Sequence, residues 1–276
     1  MFQANLPTFR ILPLQSLLLH EEHDTQRAAP LVEKLRLQGI LRNPPIVLPL
    51  LDGTNRYIVL DGANRVTALR QMEFPHILVQ LAVSPDTEIT LRTWKHVIWG
   101  MSPRTLLAGI RKVKGLQLEK INPHWSMEAP RNAPVQIRTA DGGVYLGKIR
   151  GSISGRVRAL RGIVNVYKER ATLDRTSQTM IEPFRRIHPK LTALLIFPRF
   201  EVQTILELAG KGEVLPPGIT RFTVSPRALH LNYPLHELSS GKPLAYKVEY
   251  LNHWIESKVA KKGVRFYAEP TFLFDE

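Results

Sequence analysis

The chain has 276 residues, of which 43% are hydrophobic and 22% charged, a balance that suits one or two globular cores and excludes a disordered or fibrous chain. It contains no cysteine, so disulfides, cysteine-ligated metal sites and thiol nucleophiles are excluded. Lysine and arginine outnumber aspartate and glutamate by 38 to 24, a formal charge of +14, which favours anionic partners such as nucleic acid or nucleotides.

Residues 11–14 and 17–19 read as a first strand and turn, followed by a polar loop over 20–26 and a helix over 30–38 with Gly39 as its cap. Pro44-Pro45 introduces the apolar run 46–51. Asp52-Gly53 then marks a turn and 57–60 a returning strand, which together predict a β-hairpin. Asp61-Gly62-Ala63-Asn64-Arg65 follows at once, and Val66, Leu69 and Met72 behind it keep helical spacing. Residues 78–83 read as another strand. The stretch 92–115, with Trp94, Val97, Ile98, Trp99 and Leu106-Leu107, reads as helical with a break at Ser102-Pro103, and the domain boundary is expected there.

Farther on, 133–139, the Asp141-Gly142-Gly143 turn and 144–149 predict a second hairpin, and 163–170 a strand or helix. Residues 201–210 read as an amphipathic helix with a glycine cap, and Pro216-Pro217-Gly218 as a turn entering a strand. A closing helix is expected over 246–262 with Leu251, Trp254, Ile255 and Val259 on one face. The first residues lack the charged start and cleavage site of a leader, and no run approaches the roughly 18 apolar residues of a membrane span, so a cytoplasmic protein with no membrane partner is expected.

The junction at Asp61–Arg65 combines backbone amides at a helix start with one arginine, the parts of a phosphate-binding corner. Gly62 lets the backbone approach closely, Asp61 can contact a metal or the reacting group, and Arg65 can clamp a phosphate. A plain turn with Arg65 in solvent fits the same residues. His20-Glu21-Glu22-His23-Asp24 offers carboxylates able to accept a proton from a hydroxyl, or simply a solvated helix entry. Its histidines match no metal-ligand spacing. The positive excess sits in the second part of the chain: residues 146–186 hold ten basic and three acidic side chains, a density that can follow a phosphate backbone or form a solvated face. Neither GxGxxG nor the P-loop pattern is present.

Taken together, Leu19-His20-Glu21 with Arg27, Pro45-Ile46-Val47 and the run Tyr57-Ile58-Val59-Leu60-Asp61-Gly62-Ala63-Asn64-Arg65 resemble the ParB/sulfiredoxin superfamily, in the order and spacing of its free L-serine kinase branch. Thr93-Trp94-Lys95-His96, Pro217-Gly218-Ile219-Thr220-Arg221-Phe222 and the helix around Trp254 extend the resemblance over nearly the whole chain, with residues 100–200 matching least. The turn lacks the cysteine of sulfiredoxin and the arginine-rich second motif of partition-type ParB proteins. Asn64 stands where the family usually has histidine, and Phe222 where the archaeal branch does.

The resemblance implies an α+β fold: a ParB/sulfiredoxin-like nucleotide-binding domain over 1–105 and a basic C-terminal domain of α/β type over 106–276 that completes the substrate cleft. It implies conversion of free L-serine to O-phosphoserine using ATP or ADP with Mg²⁺. Glu21 would be the catalytic carboxylate at the serine hydroxyl and Asp61 a second catalytic acid and metal contact. Gly62, Ala63, Asn64, Arg65 and Val66 would hold the nucleotide, and Trp94, Thr220 and Arg221 would frame serine. The alternative is a DNA-binding regulator or ligand sensor that uses the basic residues of 146–186.

Overall fold

Runs that are apolar on both faces dominate the N-terminal part of the chain and assemble into a five-stranded mixed sheet. The computed structural model describes residues 6–22, 25–83, 85–122 and 133–266. Its first elements are β1 (Thr8–Pro13), β2 (Leu17–Leu19), α1 (Thr25–Gln38), β3 (Ile40–Leu41), β4 (Ile46–Pro49), β5 (Tyr57–Asp61), α2 (Ala63–Gln71) and β6 (His76–Leu81). The strands lie in the order β1, β6, β4, β5, β2. β4 and β5 form the expected antiparallel hairpin, and β2 runs parallel to β5.

Alternate residues serve the two faces of this sheet. Val47 and Val59 join a core with Val66 and Leu69 of α2, whereas Ile46, Ile58 and Leu60 turn to a cluster with Ala209 and Val224. Burial on both sides is why these strands read as continuous apolar runs. Asp61, at the C-terminal end of β5, is half-buried beyond three buried residues.

The chain continues with β7 (Glu88–Thr93), β8 (Lys95–Trp99), α3 (Pro103–Arg111), β9 (Leu116–Ile121), β10 (Gln136–Thr139), β11 (Val144–Ile149), α4 (Ile153–Asn165), β12 (Thr172–Thr176), α5 (Glu182–Ile187), β13 (Leu191–Ile196), α6 (Val202–Gly210) and β14 (Thr220–Ser225). A six-stranded sheet runs β12, β8, β13, β10, β11, β9, with every pairing antiparallel. The C-terminal part is therefore not of the expected α/β type; the whole chain is a mixture of helices and sheets, α+β. The hairpin of β10 and β11 is where the sequence placed it.

The helix expected over 92–115 is replaced by β7 and β8, and only α3 is helical. The apolar spacing of Trp94, Ile98 and Trp99 suited a helix, but Thr90, Thr93, Val97 and Ile98 are β-branched and prefer strands. Ser102-Pro103 starts α3 instead of breaking it: the Ser102 hydroxyl accepts from the Thr105 amide at 3.1 Å, with proline in the first turn. The division expected between residues 105 and 106 lies within α3 (Pro103–Arg111), and β8 before it belongs to the six-stranded sheet. Residues 163–170 are the end of α4 and the turn beyond it.

Helix α6 ties the two sheets together, and the last elements of the chain return to the N-terminal core. Helix α6 puts Ile205 and Leu208 into the core of the second sheet and Leu206 and Ala209 against the first. The chain then returns to its beginning through β15 (Tyr233–Pro234), α7 (Leu235–Ser239) and α8 (Leu244–Ala260), with β15 paired to β3. Tyr233, Leu238 and Leu251 lie in the N-terminal core, and Trp254 and Ile255 pack against it, whereas Val259 is exposed. Among the described residues no helix is long and apolar enough to cross a membrane.

Because Leu251 is 2% exposed within that first core, Leu251→Ala is expected to cost roughly 2–5 kcal/mol in urea denaturation. An unchanged unfolding midpoint would contradict a core shared between the two ends of the chain.

Candidate functional site

The turn at Asp61–Arg65, read from the sequence as a corner for phosphate, leads from the end of β5 directly into α2. Gly62 caps α2 with φ +98°, a left-handed conformation that favours glycine. A Cβ there would sit 2.8 Å from Arg65 Nη2 and 2.9 Å from Pro45 Cβ, so the turn requires glycine for space as well. No side chain caps the helix. The first intrahelical bond runs from the Val66 amide to the Gly62 carbonyl at 3.0 Å, which leaves the amides of Ala63, Asn64 and Arg65 without a partner inside the helix. Val66, expected to hold the nucleotide, is fully buried in the core, its amide bonds the Gly62 carbonyl, and it does not line the cavity.

Two arginines meet on Asp61. Its Oδ2 accepts from Arg65 Nη2 at 2.8 Å and from Arg227 Nη2 at 2.5 Å. Burial pulls the Arg65 guanidinium below its ordinary value, and Asp61 pulls it back. Arg65 Nε is buried with no hydrogen-bond partner among the described residues, a donor that an anion in the cleft can satisfy. Mg²⁺ fits only in part. No group of three or more ligand-type side chains occurs among the described residues, and Asp61 already carries two cations. A single carboxylate of this kind suits an ion that arrives on a nucleotide's phosphates.

Glu21 lies across the cleft on the segment between β2 and α1. Its Oε2 accepts from the Gly218 amide at 2.8 Å, and its Oε1 accepts from the Thr220 amide and from the Thr220 hydroxyl at 2.5 Å. The backbones are joined beside it: Leu215 N donates to the His20 carbonyl and Glu22 N to the Leu215 carbonyl, both at 2.8 Å. Arg161 Nε reaches Glu22 Oε1 at 2.6 Å. His23 and Asp24, named with Glu21 in the sequence, lie outside the described residues.

One cavity of about 540 Å³ gathers Glu21, Asp61, Gly62, Ala63, Asn64, Arg65, Trp94, Thr220 and Arg221, leaving out Val66 of the expected residues. The Arg221 guanidinium stacks 4.4 Å from the Trp94 ring centre. Lys34, Arg42, Arg65, Arg175, Arg221 and Arg227 line the same cavity against Glu21, Glu22 and Asp61, so its field attracts polyanions. Sequence reasoning missed Lys34, Arg42, Arg175 and Arg227. Arg175 lay within the basic stretch 146–186, but composition alone did not separate it from its neighbours.

The loop bearing Gly218 has a second support. His96 is fully buried on β8, and its Nε2 donates to the Gly218 carbonyl at 2.9 Å while its Nδ1 accepts from the Tyr167 hydroxyl at 2.7 Å. Gly218 adopts φ +77°, and a Cβ there would strike the Arg175 guanidinium at 2.2 Å. Burial, against the Gly218 carbonyl and with help from Arg175, pulls His96 down to about 4.

The chain is similar to known proteins along almost its full length. The ATP-dependent L-serine kinase SbnI of Staphylococcus aureus is 26% identical over 274 residues, 97% of each chain. An ATP-dependent L-serine kinase of Staphylothermus marinus is 32% identical over 110 residues, 40% of this chain and 42% of that one. Among solved structures, SbnI with a C-terminal truncation from Staphylococcus aureus aligns with a TM-score of 0.69 at 20% identity, over 91% of this chain and 97% of that one. A mutant free serine kinase in complex with ADP aligns with a TM-score of 0.68 at 15% identity, over 86% and 98%. These two show a shared fold. No family model matches the chain.

The depressed value of His96 gives a pH dependence with a definite sign. The folded chain resists protonation that the unfolded chain accepts, so the contribution is complete above about pH 6.5 and is lost as pH falls toward 4. About 3 kcal/mol of stability should disappear across that window. His96→Gln should flatten this part of the profile in denaturation curves taken between pH 4 and 7; an unaltered slope would contradict the assignment.

Proposed function

We propose that the protein is an ATP-dependent kinase that phosphorylates free L-serine to O-phosphoserine. The observation that carries this reading is the single cavity that brings Glu21 opposite the Asp61–Arg65 corner. The near full-length likeness to an ATP-dependent L-serine kinase supports it. The N-terminal sheet with its Asp61–Arg65 turn is read as a ParB/sulfiredoxin-like nucleotide-binding domain, and the basic second part as the body that completes the cleft.

Phosphoryl transfer needs mainly positioning and neutralisation of charge. In this reading the amides of residues 63–65 and the guanidinium of Arg65 hold the nucleotide's phosphates. Asn64 adds a neutral donor. Asp61 keeps Arg65 and Arg227 in place and would hold a nucleotide-borne Mg²⁺, which when bound neutralises phosphate oxygens. Glu21 accepts the proton of the serine hydroxyl. Arg221, stiffened by Trp94, grips the serine carboxylate, a planar anion that suits a guanidinium. A cytoplasmic location belongs to the same reading.

The comparisons lend no support to DNA binding. Several basic side chains of 146–186 are paired within the chain: the partly buried Arg161 with Glu22, and at the surface Lys148 with Glu119 and Arg185 with the Ala140 carbonyl.

Purified protein with L-serine, ATP and Mg²⁺ should yield O-phosphoserine by mass spectrometry. Glu21→Ala should lower kcat at least about 100-fold, whereas alanine at the exposed Arg150 and Arg158 should leave it within about twofold. Folded wild-type protein that makes no product would overturn the reading.

A further inference from the structure

Behind Glu21 stands a histidine that no step above uses. His20 is 7% exposed, and both ring nitrogens are engaged: Nδ1 lies 2.6 Å from the Val59 carbonyl oxygen and Nε2 lies 2.7 Å from the Thr220 hydroxyl. A carbonyl has no proton to give, so Nδ1 carries hydrogen and donates. The Thr220 hydroxyl in turn lies 2.5 Å from Glu21 Oε1. Two short contacts thus meet at a hydroxyl that owns one proton. With neutral His20 and ionised Glu21, that proton completes one contact and leaves lone pairs facing each other across the other. One further proton, on Oε1 or on Nε2, completes both.

We propose that Glu21, Thr220 and His20 form a proton relay, in which the proton that Glu21 takes from the substrate hydroxyl is passed through the Thr220 hydroxyl to His20 Nε2. The relay rests on the kinase reading. In the transfer step the serine O–H bond breaks, the serine oxygen bonds to the γ-phosphorus, and the bond from that phosphorus to the bridging oxygen breaks with its electron pair passing to ADP. The proton goes to Glu21 Oε1. Glu21 then gives a proton to the Thr220 oxygen as the Thr220 proton moves to Nε2. The chain ends as carboxylate, hydroxyl and imidazolium with both contacts hydrogen-bonded, and after product leaves the proton returns from Nε2 through the Thr220 hydroxyl to Glu21, which gives it to water in the emptied cleft.

The surroundings suit this cycle. Burial is the larger influence on His20 and holds it below its ordinary value, so the ring begins neutral with Nε2 open. Glu21, the Val59 carbonyl and Asp61 pull the other way and favour the imidazolium once it forms. Glu21 and Asp61 are the charged groups facing the ring, and the Phe222 ring closes it edge-on at 5.1 Å. His20 acts through Thr220, so it is a positioning residue for the base.

The test compares His20→Gln, Thr220→Val and Thr220→Ser with the wild type, as full chains with ATP, L-serine and Mg²⁺ from pH 5 to 9. His20→Gln and Thr220→Val should each lower kcat at least about tenfold with both KM values within about threefold, while Thr220→Ser stays near wild type. The acid side of the kcat profile, where His20 becomes protonated, should move in His20→Gln. The relay is overturned if kcat of His20→Gln stays within about twofold with a superimposed profile, or if the loss lies wholly in KM. Should His20→Gln not fold, as judged by circular dichroism, the Thr220 pair decides: equal losses in Ser and Val overturn the relay. A wild type that forms no O-phosphoserine overturns the kinase reading itself, whereas an active wild type with indifferent variants removes only the relay.

Discussion

The Glu21 carboxylate joins two stretches of chain nearly 200 residues apart. It receives the amides of Gly218 and Thr220 and the Thr220 hydroxyl, and hydrogen bonds to a charged group contribute roughly 1.5–3 kcal/mol each. Backbone bonds between His20, Glu22 and Leu215 flank it, so the loop from 215 to 220 is docked as if it were a short added strand. The position of the cleft's second wall depends on this attachment. From it β14 sets out and carries Thr220, Arg221 and Phe222 along the cavity, with Thr220 opposite Thr93 of β7 and Trp94 just beyond. A carboxylate fastened in this way is fixed relative to the loop, and such positional accuracy is what the proposed transfer between two bound molecules demands.

The same constraint gives the excess positive charge a use. An overall +14 fits nucleic acid or nucleotides equally, and several of the cations gather on the one cavity. Arg65 and Arg227 converge on one oxygen of Asp61, Arg221 lies on Trp94, and Arg175 stands beside Gly218. Asp61 is outnumbered in this arrangement. It works as a brace that holds two guanidinium groups on one oxygen and offsets their mutual repulsion, while the open start of α2 contributes its dipole.

How much of this was legible in the sequence follows from how local each feature is. The β4–β5 hairpin, the Asp61–Arg65 corner and α8 rest on neighbouring residues, and each formed where the pattern placed it. Glycine at 62 could be justified before its φ was known, since a strand running straight into a helix leaves no room for a side chain. The strands β7 and β8 were misread because tryptophan and isoleucine at near-helical spacing outweighed the β-branched residues among them. Strand β13 passed unread, because an apolar run buried on both faces carries no period. Arg227 and the pair of His96 and Tyr167 could not be found at all: their partners lie 166 and 71 residues away. Val66 was included by extending a motif one residue past the point where the helix begins to satisfy its own amides.

The central claim is that one cleft holds nucleotide phosphates at the start of α2 and serine between Glu21 and Arg221. A crystal structure with a non-hydrolysable ATP analogue and L-serine tests it directly. The account predicts phosphate oxygens within hydrogen-bond distance of the amides of residues 63–65 and of Arg65, and the serine hydroxyl within about 3 Å of Glu21. Phosphates seated elsewhere on the chain, or serine bound with its hydroxyl turned from Glu21 toward solvent, would contradict it.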